Sequence, residues 1–550
     1  MLPAFDRYRK RPSGLPLLGL ACALLATGCD VAGPASAPVA EKVDVLIRGG
    51  TIYDGSDAPA RTGDVAITND RIVYVGPSGV FDAKQIVDAR GMIVTPGFID
   101  PHTHADIFLR SDDPAERSNT AWLAQGVSTV MIGVDGGGTP DVADDAQKLE
   151  RSGIGTNVVP FVGFGAVRTR VLGNEARAPD ARELDAMRAL VADAMCEGAT
   201  GFSTGLFYAP QSFAETDEVI ALAREAGRRG GMYDTHQRDE SSYSIGLIAS
   251  TDEAIRIGEE AGAPVHIAHI KALGVDVHGM APQLIKRIEA ARARGVQVTA
   301  DQYPWLASGS SLDAALVPRW ALDGGGRALL ERLDDTEMRV RIRGEMQENL
   351  RRRGGASSLL LTGRDRAWTG RTLAEQAEET GTDPVGAALA IIQQVVLEGG
   401  GGTEVASFNM AQADVDVLMQ QPWVLTASDG SLGHPRMFAT YPEKYREYVR
   451  KRGVIDLGTF IRQSTGKVAD VYRVAQRGYL KEGFFADVLV FDPDRYAPRA
   501  TYLSPREPSV GVKALFVNGE LAFADDAPTE RRIGRVLLRP TPPHCPDLGA

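Results

Sequence analysis

The chain has 550 residues, ordinary apolar (43%) and charged (24%) fractions, and a formal net charge of -12 at pH 7. That length suits a large barrel with a satellite domain. An acidic balance with no basic block beyond the N-terminus argues against nucleic acid as a partner.

The first 29 residues read as a processed leader. Arg7 to Arg11 form a basic region, Leu15 to Leu25 a short apolar core, and Leu25-Ala26-Thr27-Gly28-Cys29 ends in small residues before a cysteine, as in a bacterial lipoprotein signal. The apolar core is too short for a stable spanning helix. Cleavage before Cys29 would leave that cysteine as a lipidated first residue, so an exported lipoprotein is expected, anchored to a membrane through Cys29 alone on its periplasmic or cell-surface side. A plain secretory signal is the rival reading. Residues 30–42 are rich in Ala, Pro, Gly and Ser and read as a flexible tether. Beyond Cys22 and Cys29 only Cys196 and Cys545 remain. They make no disulfide framework, and no C-x-x-C metal pattern is present.

From Val43 to Val94 short strands alternate with turns, and the same texture returns in Ala486–Phe491 and Val512–Gly519. Neither half has enough strand to close a core, so residues 43–94 and 480–540 are expected to combine into one small β-domain. Residues 95–479 alternate apolar runs with amphipathic stretches, the pattern of βα units. Strands are expected to end near Asp100, Gly133, Val162, Ser203, His236, His269, Asp301 and Asp429, with helices at Ala181–Cys196, Glu215–Arg229, Thr251–Ala261 and Pro282–Arg294. The fold expected is therefore a (β/α)8 TIM barrel with a small composite β-sandwich domain formed by both chain ends. The interval from Ser308 to Gln421 exceeds any barrel connection and predicts an inserted, largely helical lid at about 309–400. Val405–Met410 is a further possible strand and leaves the seventh barrel strand open.

Histidines gather where these runs end. Gly97-Phe98-Ile99-Asp100-Pro101-His102-Thr103-His104 closes an apolar segment with imidazoles at i and i+2, on one face of a strand. Two neutral imidazoles at a strand end are what a zinc-class ion needs from its first nitrogen ligands. His236, His269 and Asp429 also end apolar runs, where a parallel barrel builds its site. His266 and His269 differ by three, so strand alternation allows one of them to look inward. The end residue, His269, is the candidate ligand and His266 a packing residue.

Together these motifs resemble the amidohydrolase superfamily, and within it the N-acyl-D-amino-acid deacylase (D-aminoacylase) family. The specific stretches are Val94-Thr95-Pro96-Gly97-Phe98-Ile99-Asp100, Gly201-Phe202-Ser203-Thr204-Gly205-Leu206, His236-Gln237-Arg238-Asp239-Glu240, Asp301-Gln302-Tyr303-Pro304, Ser428-Asp429-Gly430 and Gly483-Phe484-Phe485-Ala486-Asp487. The resemblance implies His102, His104, His236 and His269 as ligands of one or two Zn2+ ions and Asp429 as the catalytic proton carrier. Asp429 touching the metal, or merely orienting a histidine, stays open. Where the family commonly has a zinc-ligating cysteine, this chain has Gly133-Val134-Asp135-Gly136. Asp135 is the candidate bridging ligand, the alternative being that it only shapes a glycine-rich turn. The carboxylated lysine that many superfamily members carry on the fourth strand has no counterpart in Thr200–Leu206.

The resemblance further implies an N-acyl amino acid as small-molecule substrate, with Lys271, Tyr303 and Ser308 binding its carboxylate. Arg238 is a second candidate, unless it pairs with Asp239 or Glu240. Gly163-Phe164-Gly165 stands where the family often has Gly-His-Gly. Ser203 and Ser428 lack a nucleophile's context. The activity implied is metal-dependent hydrolysis of a linear amide, releasing a carboxylate and a D-amino acid. Cyclic amide hydrolysis of the hydantoinase or dihydroorotase type, and a non-catalytic metal-containing surface binding protein, are the alternatives.

Overall fold

Eight short parallel strands enclose the centre of the chain: Phe98–Asp100, Val127–Ile132, Asn157–Pro160 continuing into Val162–Gly163, Gly201–Gly205, Met232–His236, Val265–Ile267, Val298–Gln302 and Val424–Thr426. The computed structural model describes residues 40–363, 366–529, 531–542 and 545. The expected leader, Cys29 and residues 30–39 of the tether lie outside the described residues.

The strands pair in chain order, with Asp100 opposite Val130, Val130 opposite Val158, Val162 opposite Phe202, Gly205 opposite His236, Thr235 opposite Ile267, Ile267 opposite Ala300 and Gln302 opposite Thr426. The first and eighth strands meet just past their ends. Thr103 bridges Gly430 in parallel, His104 N–H donates to Gly430 O at 3.0 Å, and Asp429 N–H donates to His102 O at 2.9 Å. The result is a closed (β/α)8 barrel.

Alternation along each strand divides its two faces. Tyr233, Val265, Ile267, Val298 and Ala300 point outward into one core with Met187, Val191, Leu222, Ile257, Leu284 and Ile288. Those partners lie on helices Ala181–Cys196, Thr216–Arg228, Leu247–Ala261 and Ala281–Ala293, close to the spans read from periodicity. The first of these helices starts where Asp180 and Glu183 form a reciprocal capping box.

After the seventh strand the chain leaves the barrel. Its insert is more than helical: Ala307–Ser311, Glu404–Phe408 and Leu359–Leu361 form a three-stranded antiparallel sheet, with helices such as Thr336–Arg352 and Pro384–Leu397 between them. The run at Val405 thus belongs to this sheet, and Val298–Gln302 is the seventh barrel strand. Leu316, Ile342, Met346, Leu361 and Ile392 give the insert an apolar core of its own.

The two ends of the chain share one nine-stranded sheet. Ile93–Pro96 is the joint, parallel to Glu41–Ile52 and antiparallel to Val488–Phe491. Ile52 and Val94 pack with Val488, Val490 and Phe516, so neither half buries its apolar face without the other. Phe81–Asp88 branches off Glu41–Ile52 and lays Phe81 and Ala83 on Val43, Leu46 and Ala66.

Beyond that sheet, residues 534–539 run along the barrel instead of extending the β-domain. Gly534 N–H donates to Ile154 O at 2.8 Å, Leu537 N–H to Val158 O at 2.7 Å, and Arg539 N–H to Gly198 O at 2.9 Å. Gly534 is required at this close approach, since a Cβ there would lie 2.0 Å from Thr156 O. The strap ends in a disulfide between Cys196 and Cys545, 349 residues apart. Their sequence offered no disulfide framework, and the structure joins them. A pairing between two lone cysteines so distant in sequence carries no spacing signal, and closing such a span typically contributes about 2–4 kcal/mol.

Candidate metal centre

Strand ends at the C-terminal rim carry the site, and each bearing turn is tied down locally. Asp100, buried beneath the first strand end, accepts from the backbone N–H of His102 and Ser428 and from Trp122 Nε1. His102 and His104 lie just beyond the strand, their ring centroids 5.7 Å apart. Closure against Gly430 sets Asp429 beside them, with His104 Nε2 3.2 Å from Asp429 Oδ1.

Asp135 sits in the glycine turn after the second strand. Ser203 Oγ accepts from Gly136 N–H and donates to Gly133 O, while Gln211 Nε2 donates to Asp135 O at 2.9 Å. This is the work Ser203 does. Gly136 has a φ of 78°, a backbone that favours glycine, and a Cβ there would push aside Gln211, the amide that holds Asp135 O. Asp135, His269 and Asp429 all have positive φ, at 54°, 35° and 48°. Left-handed non-glycine residues of this kind cost about 1–3 kcal/mol each and gather at functional sites.

His269 explains why strand parity misled. Regular pairing of its strand ends at Ile267, and positive φ at His269 swings that ring onto the rim although alternation would send it outward. His266 does face the barrel interior, one layer down, where Asp301 Oδ2 and Thr299 Oγ1 lie 2.9 and 2.8 Å from its ring nitrogens. The other oxygen of Asp301 accepts from His269 N–H at 2.8 Å.

All six residues meet. Asp135 lies among four imidazoles: His102 Nε2 at 3.4 Å, His104 Nε2 at 3.7 Å, His269 Nε2 at 3.7 Å and His236 Nδ1 at 3.8 Å. Ligand atoms of His102, His104 and Asp135 fall within 4.8 Å of one another, as do those of Asp135, His236 and His269, and those of His102, His269 and Asp429. Both ring nitrogens of buried His102, His236 Nδ1 and Asp135 Oδ1 lack hydrogen bonds among the described residues. Buried polar atoms are rarely left so. Converging nitrogen and carboxylate lone pairs with no partner fit a zinc-class ion.

Surrounding charges keep the donors ready. Burial opposes ionisation of Asp135, but His102, His236 and His269 outweigh it and hold its carboxyl well below the usual range. Asp429 is likewise held down against burial by Arg436, His269 and His104. Arg436 Nη1 lies 2.7 Å from Asp429 Oδ2. Glu240 Oε1 lies 3.1 Å from His269 Nδ1. Lys271 Nζ lies 2.7 Å from the same nitrogen, so Glu240 and Lys271 together hold the ring with Nε2 toward Asp135. Burial disfavours charge on Glu240 as well, yet Lys271, His236 and His269 keep it ionised.

The cavity over these residues is about 460 Å³, lined by barrel loops and by the insert, a size suited to a small-molecule ligand. Lys271, Tyr303 and Ser308 all reach it. Lys271 Nζ donates to Glu240 Oε1 at 2.6 Å, and Ser308 Oγ to Asn409 Oδ1 at 3.3 Å. Tyr303 Oη has no partner among the described residues, and burial raises its pKa well above the usual value, leaving a phenol O–H to donate.

Arg238 is absent from the cavity and is corrected as a binding residue. Its guanidinium donates to Glu253 at 2.9–3.0 Å and to Ser212 O, on the helix side of the barrel. Arg238 stands two residues past His236, but the strand ends at His236, so the rule that puts i and i+2 on one face no longer applies to it. Phe164 is fully buried against Phe202 in the barrel wall. Sequence reasoning missed Arg436, seven residues past Asp429, and did not see Glu240 as the clamp on His269 and Lys271. Only Glu240, four residues after His236, carried a local signal. Tyr208, whose ring centroid lies 4.8 Å from that of His236, and Arg353 of the insert also line the cavity.

Residues 85–523 match the model of the amidohydrolase family. The chain is 32% identical to the D-aminoacylase of Alcaligenes xylosoxydans xylosoxydans, over 90% of this chain and 98% of that one. It is 31% identical to that organism's N-acyl-D-aspartate deacylase, over 90% and 95%. Among solved structures, the N-acyl-D-glutamate deacylase of Bordetella bronchiseptica, complexed with zinc and a phosphonate inhibitor that mimics the reaction's tetrahedral intermediate, superposes with a TM-score of 0.77. That match has 29% identity and covers 90% of this chain and all of the other.

Proposed function

Because the chain belongs to the amidohydrolase family, we propose that it is a zinc-dependent deacylase that hydrolyses N-acyl-D-amino acids to a carboxylate and a D-amino acid. The observation that carries this is the carboxylate of Asp135 set among four imidazoles, with Asp429 across from them at the floor of a cavity that also holds cations. His102 and His104 would hold one ion and His236 and His269 a second, with Asp135 between them. Zinc held there supplies Lewis acidity, making a water acidic near neutral pH and polarising the amide carbonyl.

The rest is work for the side chains. Asp429 Oδ1 accepts the proton of the attacking water and passes it to the departing nitrogen, which leaves as a neutral amine. Lys271, Arg436 and the Tyr303 hydroxyl offer charge and a donor to the α-carboxylate, fixing the amide over the rim. Arg436 is shared between that task and Asp429.

Cyclic amide hydrolysis is less well supported, since the fourth strand, Gly201–Gly205, contains no lysine and Asp135 occupies the space between the rings. The test is a panel of N-acetyl-D- and N-acetyl-L-amino acids and a hydantoin, with and without chelator. Turnover of D-substrates, lost on chelation and restored by zinc, is expected. Turnover of the hydantoin alone would overturn the linear-amide reading, and zinc binding without any turnover would favour a scaffold.

We also propose that the protein is exported and lipid-anchored at Cys29. The leader pattern supports this, and so does the Cys196–Cys545 disulfide, a bond that persists in oxidising compartments. Cells given labelled palmitate are expected to label the wild type and not Cys29→Ser. Equal labelling of both would end the lipoprotein reading.

A further inference from the structure

A second cavity, of about 460 Å³, opens at the far end of the barrel from the metal centre, where Thr200 leads into the strand Gly201–Gly205. Residues 535–540 of the strap form one wall, and the turn after the helix Gly466–Tyr472 forms another. Four arginines line it: Arg473, Arg477, Arg535 and Arg539. Arg477 pairs with Asp487 and Arg535 with Asp70. Arg473 and Arg539 have no carboxylate partner among the described residues and share a single backbone carbonyl instead. Arg473 Nη1 donates to Gly230 O at 3.1 Å, Arg539 Nη2 donates to the same oxygen at 2.8 Å, and Arg539 Nη1 donates to Thr200 O at 3.4 Å. Glu150 brings a carboxylate to the lining, but its Oε1 accepts from the backbone N–H of Val536 at 3.4 Å and pairs with neither arginine.

Two guanidiniums on one carbonyl oxygen repel each other, and the carbonyl gives them hydrogen bonds without a counter-charge. Burial and the charge of Arg473 both lower the pKa of Arg539. Arg473 itself is held at a left-handed φ of 55°, a conformation uncommon outside glycine. An anion entering the cavity would relieve the repulsion. A carboxylate offers two oxygens, which one guanidinium fork occupies, whereas a phosphoryl group offers three oxygens and about -1.5 to -2 charge at pH 7, enough for both arginines. Val474, Val536 and Leu537 supply an apolar wall beside them, and the volume suits a small molecule. From this arrangement we propose that the cavity binds a phosphate monoester, with the phosphoryl group on Arg473 and Arg539 and the organic group along the apolar wall. The site is separate from the metal centre and takes no part in amide hydrolysis.

Phenyl phosphate titrated calorimetrically into the zinc-loaded protein provides the test, with inorganic phosphate and benzoate alongside. An ester bound at the metal centre would be indifferent to Arg473 and Arg539, so changes at these residues separate the two sites. Arg473→Gln is expected to raise the Kd of phenyl phosphate by about 10-fold or more, the size of one lost charge-assisted hydrogen bond, and Arg473→Lys by less. Arg539→Gln should weaken binding too. Because Arg539 also caps two carbonyls, thermal melts and zinc content accompany each variant, and the exposed Arg473 is the deciding position. Wild-type protein is expected to hold phenyl phosphate more tightly than inorganic phosphate, which lacks the apolar group, and more tightly than benzoate, which lacks the third oxygen and the second charge. No binding of phenyl phosphate, binding that Arg473→Gln leaves unchanged, or equal affinity for inorganic phosphate or benzoate each overturns the proposal, the last without any variant. Vesicles of phosphatidylcholine with and without phosphatidic acid separate the sources of such an ester. Extra co-sedimentation with phosphatidic acid that Arg473→Gln abolishes makes the ligand a lipid headgroup, and phenyl phosphate binding without it makes the ligand a soluble ester.

Discussion

Replacing Asp429 with asparagine is expected to lower kcat by at least about 10³-fold while zinc content stays near that of the wild type. General acid–base groups contribute roughly 10²–10⁴-fold, and Asp429 is asked both to take the proton from water and to deliver it to the leaving nitrogen. Its two oxygens face different partners, Oδ1 the ring of His104 and Oδ2 the guanidinium of Arg436. The asparagine keeps the shape and removes the charge and the basic oxygen. Because Arg436 is almost fully buried, the variant also leaves a cation without its partner. Breaking such pairs costs about 3–5 kcal/mol. Thermal melts must therefore accompany the kinetics, so that lost chemistry is separated from lost fold. Metal analysis on the folded variant decides the role: a wild-type rate would remove Asp429 as proton carrier, and a folded but metal-free protein would make it chiefly a ligand.

Asp135→Ala should have an effect of similar size through a different route. Four imidazoles face this one carboxylate. Without it the two ligand groups lose their shared donor, and zinc is expected to fall by at least one ion per chain, with kcat/KM down about 100-fold or more. Asp135→Cys is the informative companion. A thiolate is a good zinc donor, so the cysteine should retain metal that alanine loses. Both residues must adopt the left-handed φ of 54° at this turn, which asparagine tolerates better than either. Asp135→Asn therefore serves as the conformational control, keeping the backbone preference while removing the charge. Full zinc occupancy in Asp135→Ala would reduce Asp135 to a turn-shaping residue.

The barrel was legible because strand and helix periods differ and recur. Apolar runs ending at Asp100, His236 and Asp429 could be read as strands, and Ala181–Cys196 as a helix to the residue. His102, His104, His236, His269 and Asp429 were legible for a related reason: each follows directly on an apolar run, and a barrel gathers strand ends at one rim. Reading failed where a side chain's direction depends on something other than its own strand. Alternation gave a reason for choosing between His266 and His269 that fails once the strand stops at Ile267 and the backbone turns left-handed. Arg238 was carried to the outer side of the barrel by Glu253, a partner fifteen residues away on the next helix.

By itself, then, the sequence determined which residue types stand at the ends of which strands, since local periodicity and turn chemistry act over a few neighbours. Only the tertiary structure decided which charges face one another. Arg436 reaches Asp429 through a loop, Glu240 clamps both His269 and Lys271, and Arg353 enters the cavity from an insert whose path no local period encodes. The disulfide between Cys196 and Cys545 belongs to the same class. Such pairings depend on how distant segments pack, and the free energy that selects them is shared among burial, closure of the barrel and desolvation, none of which is a property of a short stretch of chain.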